Sequence, residues 1–214
     1  LGGSTPRMQN FSTCASLIDT LMAKSASTAT TASSSSSAKS LPAKVLGALA
    51  RGEERDVVAW LVQGGCVDAR CTTQELGTLL MAAAANRNDG MVRMLLQRQA
   101  SIDVDNSFGY TALMCAGSQG HTSTLQLLLD AQASVNLQDE SGCTALMAAT
   151  REGHTATGRL LLDAKATLNQ QDENGISALL MAASTGHTPM VQLLLDAKAD
   201  TTLRDANGMA ALEV

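Results

Sequence analysis

The feature that most constrains this chain is a sequence repeat with a period of 33 residues. His121, His154 and His187 recur at this spacing, and an LLLD run follows each histidine at the same distance. Four glycines keep the same period: Gly109, Gly142, Gly175 and Gly208. A fixed period of this kind predicts a repeat architecture, in which each unit buries its apolar face only by stacking on its neighbours.

Each unit is predicted to contain a turn, a short helix and a second helix. In the unit 139–171, DESGC favours a turn, Thr144 an N-cap, and Gly153 the left-handed end of the first helix. The second helix is predicted to begin near Thr155 and to carry the LLLD run, followed by an extended segment. The sequence is 45% hydrophobic but only 2% aromatic, which favours closely packed helices over a β-sandwich.

These motifs together resemble the ankyrin repeat, over roughly residues 44–214. The resemblance depends on the period, on G-x-T-A-L-M-x-A, on G-H-T and on LLLDA-x-A. It implies an all-α helical solenoid of stacked helix-turn-helix units with β-hairpin fingers. The family's T-P-L-H is T-A-L-M at Thr111–Met114 and Thr144–Met147 and S-A-L-L at Ser177–Leu180, but a capping hydroxyl is kept.

The repeat frame predicts five units and part of a sixth, with the first unit divergent in length. We expect bounds of 44–72, 73–105, 106–138, 139–171 and 172–204, then a truncated unit at 205–214 after which the native chain continues. The family's glycine after the second helix is replaced, so a positive φ costing about 1 kcal/mol per site is expected. The replacing residues are Gln99, Gln132, Lys165 and Lys198.

Gly158 is the one irregular core position in this frame. Other repeats carry Val92, Leu125 and Val191 there, so an apolar side chain is missing from the fourth unit. The pattern therefore predicts a vacancy, and a gain in stability for Gly158→Val.

Residues 1–40 have a different composition from the repeats. SASTATTASSSSSAKS, at 25–40, predicts a disordered linker, and the apolar spacing at 11–22 predicts a short amphipathic helix. Two alternatives are an organelle transit peptide, since Asp19 is the only acid there, and a helical motif that docks on a partner.

Neither metal binding nor catalysis is expected from the histidines and cysteines. Stacked helices lie about 8–10 Å apart, whereas Zn–N bonds are about 2.0–2.1 Å, so the histidines are predicted to order the inter-helix turns. Cys143 and His154 flank a helix about 13 Å long, which exceeds the reach of a Cys–His pair. Cys115 occupies a slot held by Ala148 and Met181 elsewhere, which indicates a core position. We therefore predict no catalytic residue, no metal and no cofactor.

Charge and cysteine usage favour an intracellular, cytoplasmic protein. The net charge of −5 excludes a whole-chain basic footprint for nucleic acid or anionic membrane. No apolar run approaches the ~20 residues of a membrane span. Five scattered cysteines without a C-x-x-C pair indicate free thiols in a reducing compartment, although the Ser-rich segment would allow organelle import.

The leading hypothesis is a non-catalytic scaffold or adaptor, monomeric in isolation, that binds another protein. The ankyrin resemblance implies that the concave side, made of finger tips and first helices, is the partner site. The alternatives are a targeting or regulatory arm of a larger enzyme, such as a kinase or acyltransferase, and a passive spacer. Phe108 and Tyr110 are the expected hot spots. The candidate tip residues are Ser107, Phe108, Tyr110, Glu140, Ser141, Cys143, Glu173, Asn174 and Ile176, and the first-helix candidates are Ser118, Gln119, Arg151, Glu152, Ser184 and Thr185.

Overall fold

The computed structural model describes residues 40–51, 53–71 and 77–211. The linker, the helix at 11–22 and the alternatives for the N-terminal segment lie outside the described residues, apart from residue 40. Within the described part there are ten helices and two short strands. The helices are Ala43–Ala50 (α1), Glu54–Val62 (α2), Leu79–Ala85 (α3), Asp89–Gln97 (α4), Ala112–Ser118 (α5), Thr122–Asp130 (α6), Ala145–Arg151 (α7), Thr155–Asp163 (α8), Ala178–Ser184 (α9) and Thr188–Asp196 (α10). The strands, Ser40–Leu41 (β1) and Arg70–Cys71 (β2), pair in parallel.

In the second to fifth units, the first helix begins at a side-chain cap and ends at a left-handed residue, as predicted. The cap hydroxyls of Thr78, Thr111, Thr144 and Ser177 each accept a hydrogen bond from the backbone N–H three residues later. Gly120, Gly153 and Gly186 hold φ near +70°, and Arg87 takes this role at +54° in the preceding unit. These two signals confine the helix to seven residues, from Ala145 to Arg151 in the fourth unit.

In the second to fifth units, a residue other than glycine is held at positive φ two positions after the end of the second helix. The predicted left-handed conformation is confirmed at Gln99, Gln132, Lys165 and Lys198, with φ between +62° and +71°. Each of these positions follows a helix whose last carbonyls accept backbone N–H groups from the turn, such as Ala166 N–H to Leu161 O at 2.9 Å. The turn geometry is therefore kept without glycine.

The helices stack in two layers around one continuous core. The first helices α3, α5, α7 and α9 contact one another in order, and α4, α6, α8 and α10 form the second layer. Leucines at the period of the repeat lie between the layers, fully buried at Leu95, Leu128, Leu161 and Leu194. The all-α solenoid expected from the sequence is confirmed.

Side chains in the loops after the second helices tie each unit to the next. Asp103 accepts the backbone N–H of Ser134 at 2.9 Å, and Asn136 accepts that of Thr167 at 2.7 Å, each across 31 residues. The equivalent bond from Ser101 to Asp68 spans 33 residues. The two extra residues agree with the length changes expected in the first unit.

The vacancy predicted at Gly158 is wrong. A Cβ at Gly158 would lie 2.9 Å from Met190 Cε and 3.0 Å from Met190 Sδ. Met190 is fully buried, so the side chain missing from one unit is supplied by the next. There is therefore no cavity at Gly158 that the valine of Gly158→Val could fill, and the predicted gain in stability loses its physical basis.

Candidate partner-binding face

Each finger is a tight turn held by one Asn or Asp residue, whose side-chain oxygen accepts hydrogen bonds from backbone N–H groups of the turn. Asp139 Oδ1 accepts the backbone N–H groups of Ser141 at 2.9 Å and Cys143 at 2.8 Å. Its own N–H donates to Cys143 O at 2.9 Å, which closes the hairpin. Asn106, Asp172 and Asp205 accept the N–H groups two and four residues later in the same way. The sequence therefore specifies four fingers of one shape.

Neighbouring fingers are joined through the backbone at their tips. Glu140 N–H donates to Phe108 O at 2.9 Å, and Glu173 N–H donates to Ser141 O at 2.9 Å. A Cβ at Gly109 would lie 2.8 Å from Asp139 Cα, so glycine is needed there both for its φ of +76° and for this close approach. We call the resulting line of tip residues 107–108, 140–141 and 173–174 the finger row.

The structure distributes the fifteen candidate residues over three levels of exposure. Exposed on the finger row and at the ends of the first helices are Ser107, Phe108, Glu140, Glu152, Glu173, Asn174, Ser184 and Thr185. Half-buried below them are Tyr110, Gln119, Ser141, Arg151 and Ile176. Phe108 is 48% exposed, which is high for a large apolar side chain on a structured turn.

Two candidates are buried, which corrects the expectation that they are surface residues. Cys143 is 2% exposed because the Arg151 side chain lies over it, with Nη2 donating to Sγ at 3.1 Å. Burial raises the pKa of the Cys143 thiol. Ser118 is 8% exposed, and its hydroxyl donates to Cys115 O at 3.1 Å. Both side chains form the floor of the face instead of its surface.

Arg151 is the charged centre of this floor. Burial alone would lower its pKa, but Cys143, Tyr110 and Asp139 raise the pKa above its usual value, so the guanidinium is charged. In the flanking units, the positions equivalent to Cys143 and Arg151 hold a large finger residue and a small helix residue. These pairs are Tyr110 with Ser118 and Ile176 with Ser184. The reversed sizes at Cys143 and Arg151 were the sequence signal for this contact.

The three histidines join each unit to the preceding one. The Nε2 atoms of His121, His154 and His187 lie 3.1, 3.1 and 3.0 Å from the carbonyl oxygens of Ala85, Ser118 and Arg151. Since a carbonyl only accepts, Nε2 carries the hydrogen, and each ring satisfies the last residue of a first helix. Burial lowers the pKa of His121. The structural role predicted for these residues is confirmed.

Two searches within the described ranges (40–51, 53–71 and 77–211) bear on other kinds of site. No group of three or more His, Cys, Asp or Glu side chains in that part of the chain is arranged to hold a metal ion. Among the same residues, no helix combines the length and apolar character that crossing a membrane requires.

Comparison with known proteins agrees with the geometry of the units. A family model described as ankyrin repeats (3 copies) matches residues 46–139 and 132–205. No curated protein matches the chain. The matched ranges cover most of the 214 residues, include the first three fingers and end at Asp205, where the fourth begins. Ankyrin repeats are in general protein–protein interaction modules, and this chain belongs to the ankyrin-repeat family.

Proposed function

We propose that this chain is a scaffold or adaptor that binds another protein across the finger row and the exposed ends of the first helices. The observation that carries the proposal is Phe108, an aromatic side chain 48% exposed at the tip of a finger that is bonded to its neighbour. Aromatic side chains, phenylalanine among them, are enriched at protein–protein interfaces relative to the rest of the surface.

The scaffold under this face supports rigid recognition. The caps, the Asx turns and the tip-to-tip hydrogen bonds engage the backbone of the fingers, as with Asp139, which makes four hydrogen bonds with backbone groups of Ser141, Gly142 and Cys143. A surface that is ordered before binding loses little conformational entropy when a partner docks. The variable exposed residues, including Glu140, Glu173 and Thr185, would then set specificity on a fixed frame.

We propose that this chain has a non-catalytic role. We also propose that it is a monomer in the cytoplasm of the cell. The histidine rings are engaged with backbone carbonyls and the Cys143 thiol is buried with a raised pKa. Cys66, Cys115 and Cys143 are not joined in disulfides, which supports a reducing compartment. Cell fractionation followed by N-terminal sequencing tests this placement against organelle import.

The same face would serve if the array were the targeting arm of a larger enzyme, such as a kinase or acyltransferase, with repeats at the bounds given above. Sequencing the complete reading frame of the gene distinguishes an arm of an enzyme from a separate adaptor. The binding proposal itself does not depend on that outcome.

Crosslinking with matched variants tests the proposed face. The full chain is crosslinked in cell extract as wild type, as F108A/E140A and as V62A/D163A. Val62 is 70% exposed and Asp163 is exposed, and both lie on second helices, away from the fingers. We expect the finger variant to lose specific crosslinks that the second-helix variant keeps, with both melting like wild type. Equal crosslinking by all three proteins would rule out this face.

A further inference from the structure

We infer that the partner of the finger row is an extended, basic polypeptide segment, which carries two Lys or Arg residues three positions apart and one apolar residue beside the first of them. This inference rests on the proposed function and adds the chemistry of the partner to it. It depends on the charge, the order and the spacing of three exposed tip residues, Phe108, Glu140 and Glu173.

The charge of the candidate face is negative where it meets solvent. Glu140, Glu152 and Glu173 are exposed carboxylates. Arg151 is the one cation among the fifteen candidate residues, and it is half-buried against Cys143 and coupled to Asp139. The whole chain carries a net charge of −5. Both the local and the overall field therefore attract a cationic partner and speed its encounter.

The order of residues along the row adds an apolar contact to this charge. The backbone bond from Glu140 to Phe108 places a half-exposed ring beside the first carboxylate, and the bond from Glu173 to Ser141 places the second carboxylate one unit further. A ring in this position contacts an aliphatic or aromatic side chain, or the flat face of an arginine. The row therefore offers one apolar site followed by two anionic sites.

The spacing of these sites favours an extended segment. Packed helices are about 8–10 Å apart, and so are the successive units that carry the tips. A polyproline II segment has three residues per turn and rises about 3.1 Å per residue, so every third side chain faces one side at intervals of about 9 Å. Basic residues three positions apart would then meet Glu140 and Glu173, which lie one unit apart. An apolar residue beside the first of them would meet Phe108, because the bond of 2.9 Å from Glu140 N–H to Phe108 O holds these two residues closer together than one unit.

Selection from a library of short random peptides provides the first test. The immobilised full chain is used as bait, and selected peptides are sequenced and synthesised. We expect them to carry two Lys or Arg residues three positions apart with a large apolar residue beside one of them. Since exposed ion pairs are screened, their binding should weaken as the salt concentration rises.

Charge reversal in matched pairs provides the second test. E140K/E173K and D163K/D196K change the net charge equally, but Asp163 and Asp196 are exposed residues that close second helices. The finger variant should bind a selected peptide about tenfold more weakly, as expected for loss of two exposed ion pairs, whereas the second-helix variant should change affinity by about twofold or less. A peptide with Glu in place of both basic residues should bind the finger variant better than wild type.

The outcomes separate this inference from the proposed function. Selected peptides without basic residues, or equal weakening by both charge-reversed variants, would overturn the basic segment. If such peptides still required Phe108, the interaction face would stand without it. A library that yields no binder would also overturn the segment, while the crosslinking comparison would continue to decide whether the face binds a protein.

Discussion

Two neighbouring junctions in the second-helix layer fill equivalent positions in opposite ways. At the junction of the third and fourth units, the third unit supplies a large residue, Leu125, and the fourth supplies a small one, Thr157. Both are buried. Between the fourth and fifth units the order is reversed, because Gly158 stands before Met190. The comparison teaches that the size of one residue in a repeat has meaning only together with the residue 32 positions later.

The largest effect is expected from removing the side chain that fills the reversed junction. Met190→Ala should lower the free energy of unfolding by about 2–5 kcal/mol, because Gly158 has no side chain that can fill the cavity. Urea denaturation measures the change. Met209→Ala is the matched control: Met209 is 41% exposed, and its loss should cost less than about 0.5 kcal/mol. Similar losses for both variants would contradict the packing described here.

A smaller effect is expected from forcing the usual order onto the reversed junction. Gly158→Val should lower the free energy of unfolding by about 1–3 kcal/mol, because its side chain meets Met190. Adding Met190→Thr restores the large-then-small order. The double variant should then be more stable than the sum of the two single changes predicts, by about 0.5–3 kcal/mol. Additive single and double variants would mean that the two positions are independent.

The smallest effect concerns the hydroxyl at the junctions with the usual order. Thr124 Oγ1 donates to Asp89 Oδ1, whereas the equivalent Thr157 Oγ1 is buried without a hydrogen-bond partner among the described residues. Thr157→Val should therefore raise the free energy of unfolding by about 1 kcal/mol, and Thr124→Val should lower it by about as much. Thermal denaturation of the two variants checks the signs, and equal signs would break the comparison.

The Thr124→Val loss should also depend on pH. Burial raises the pKa of Asp89, but hydrogen bonds from Thr124 and Ser123, together with the charges of Arg93 and Arg87, outweigh it and hold the pKa below its usual value. A depressed pKa stabilises the fold above the pKa of the unfolded state, and this contribution is lost as the pH falls through the folded value. The difference between Thr124→Val and wild type should therefore shrink as the pH falls below about 4.

Much of the fold follows from local sequence signals. Thr144 and Gly153 bound a helix because capping and left-handed turns depend on residues within four positions of each other. The period then predicts the stacking, since identical units must bury identical faces. The left-handed conformation of Lys165 was predictable for the same reason, although no glycine marks it.

The predictions from sequence are wrong where a side chain of one element packs against a different element. The repeat pattern predicts a vacancy at Gly158 because Met190 is not its neighbour in sequence, and only the stacking of the units brings Met190 onto it. Cys143 was placed at the surface because the period does not fix the direction of the Arg151 side chain. The exposed residues that contact a partner are determined by the shape of that partner, and no local pattern in the sequence of this chain encodes that shape.

The histidine contacts also fix the order in which parts of the array can be completed during synthesis on the ribosome. His154 bonds to the carbonyl of Ser118, and His187 to that of Arg151, in each case 36 residues earlier in the chain. Chains grow at about 5–20 residues per second, so each first helix waits about 2–7 seconds for the ring that satisfies its last residue. In the last part of that interval, after Gln138 has been added, the unit 106–138 is complete in sequence but the last residue of its first helix still lacks the histidine ring that will satisfy it.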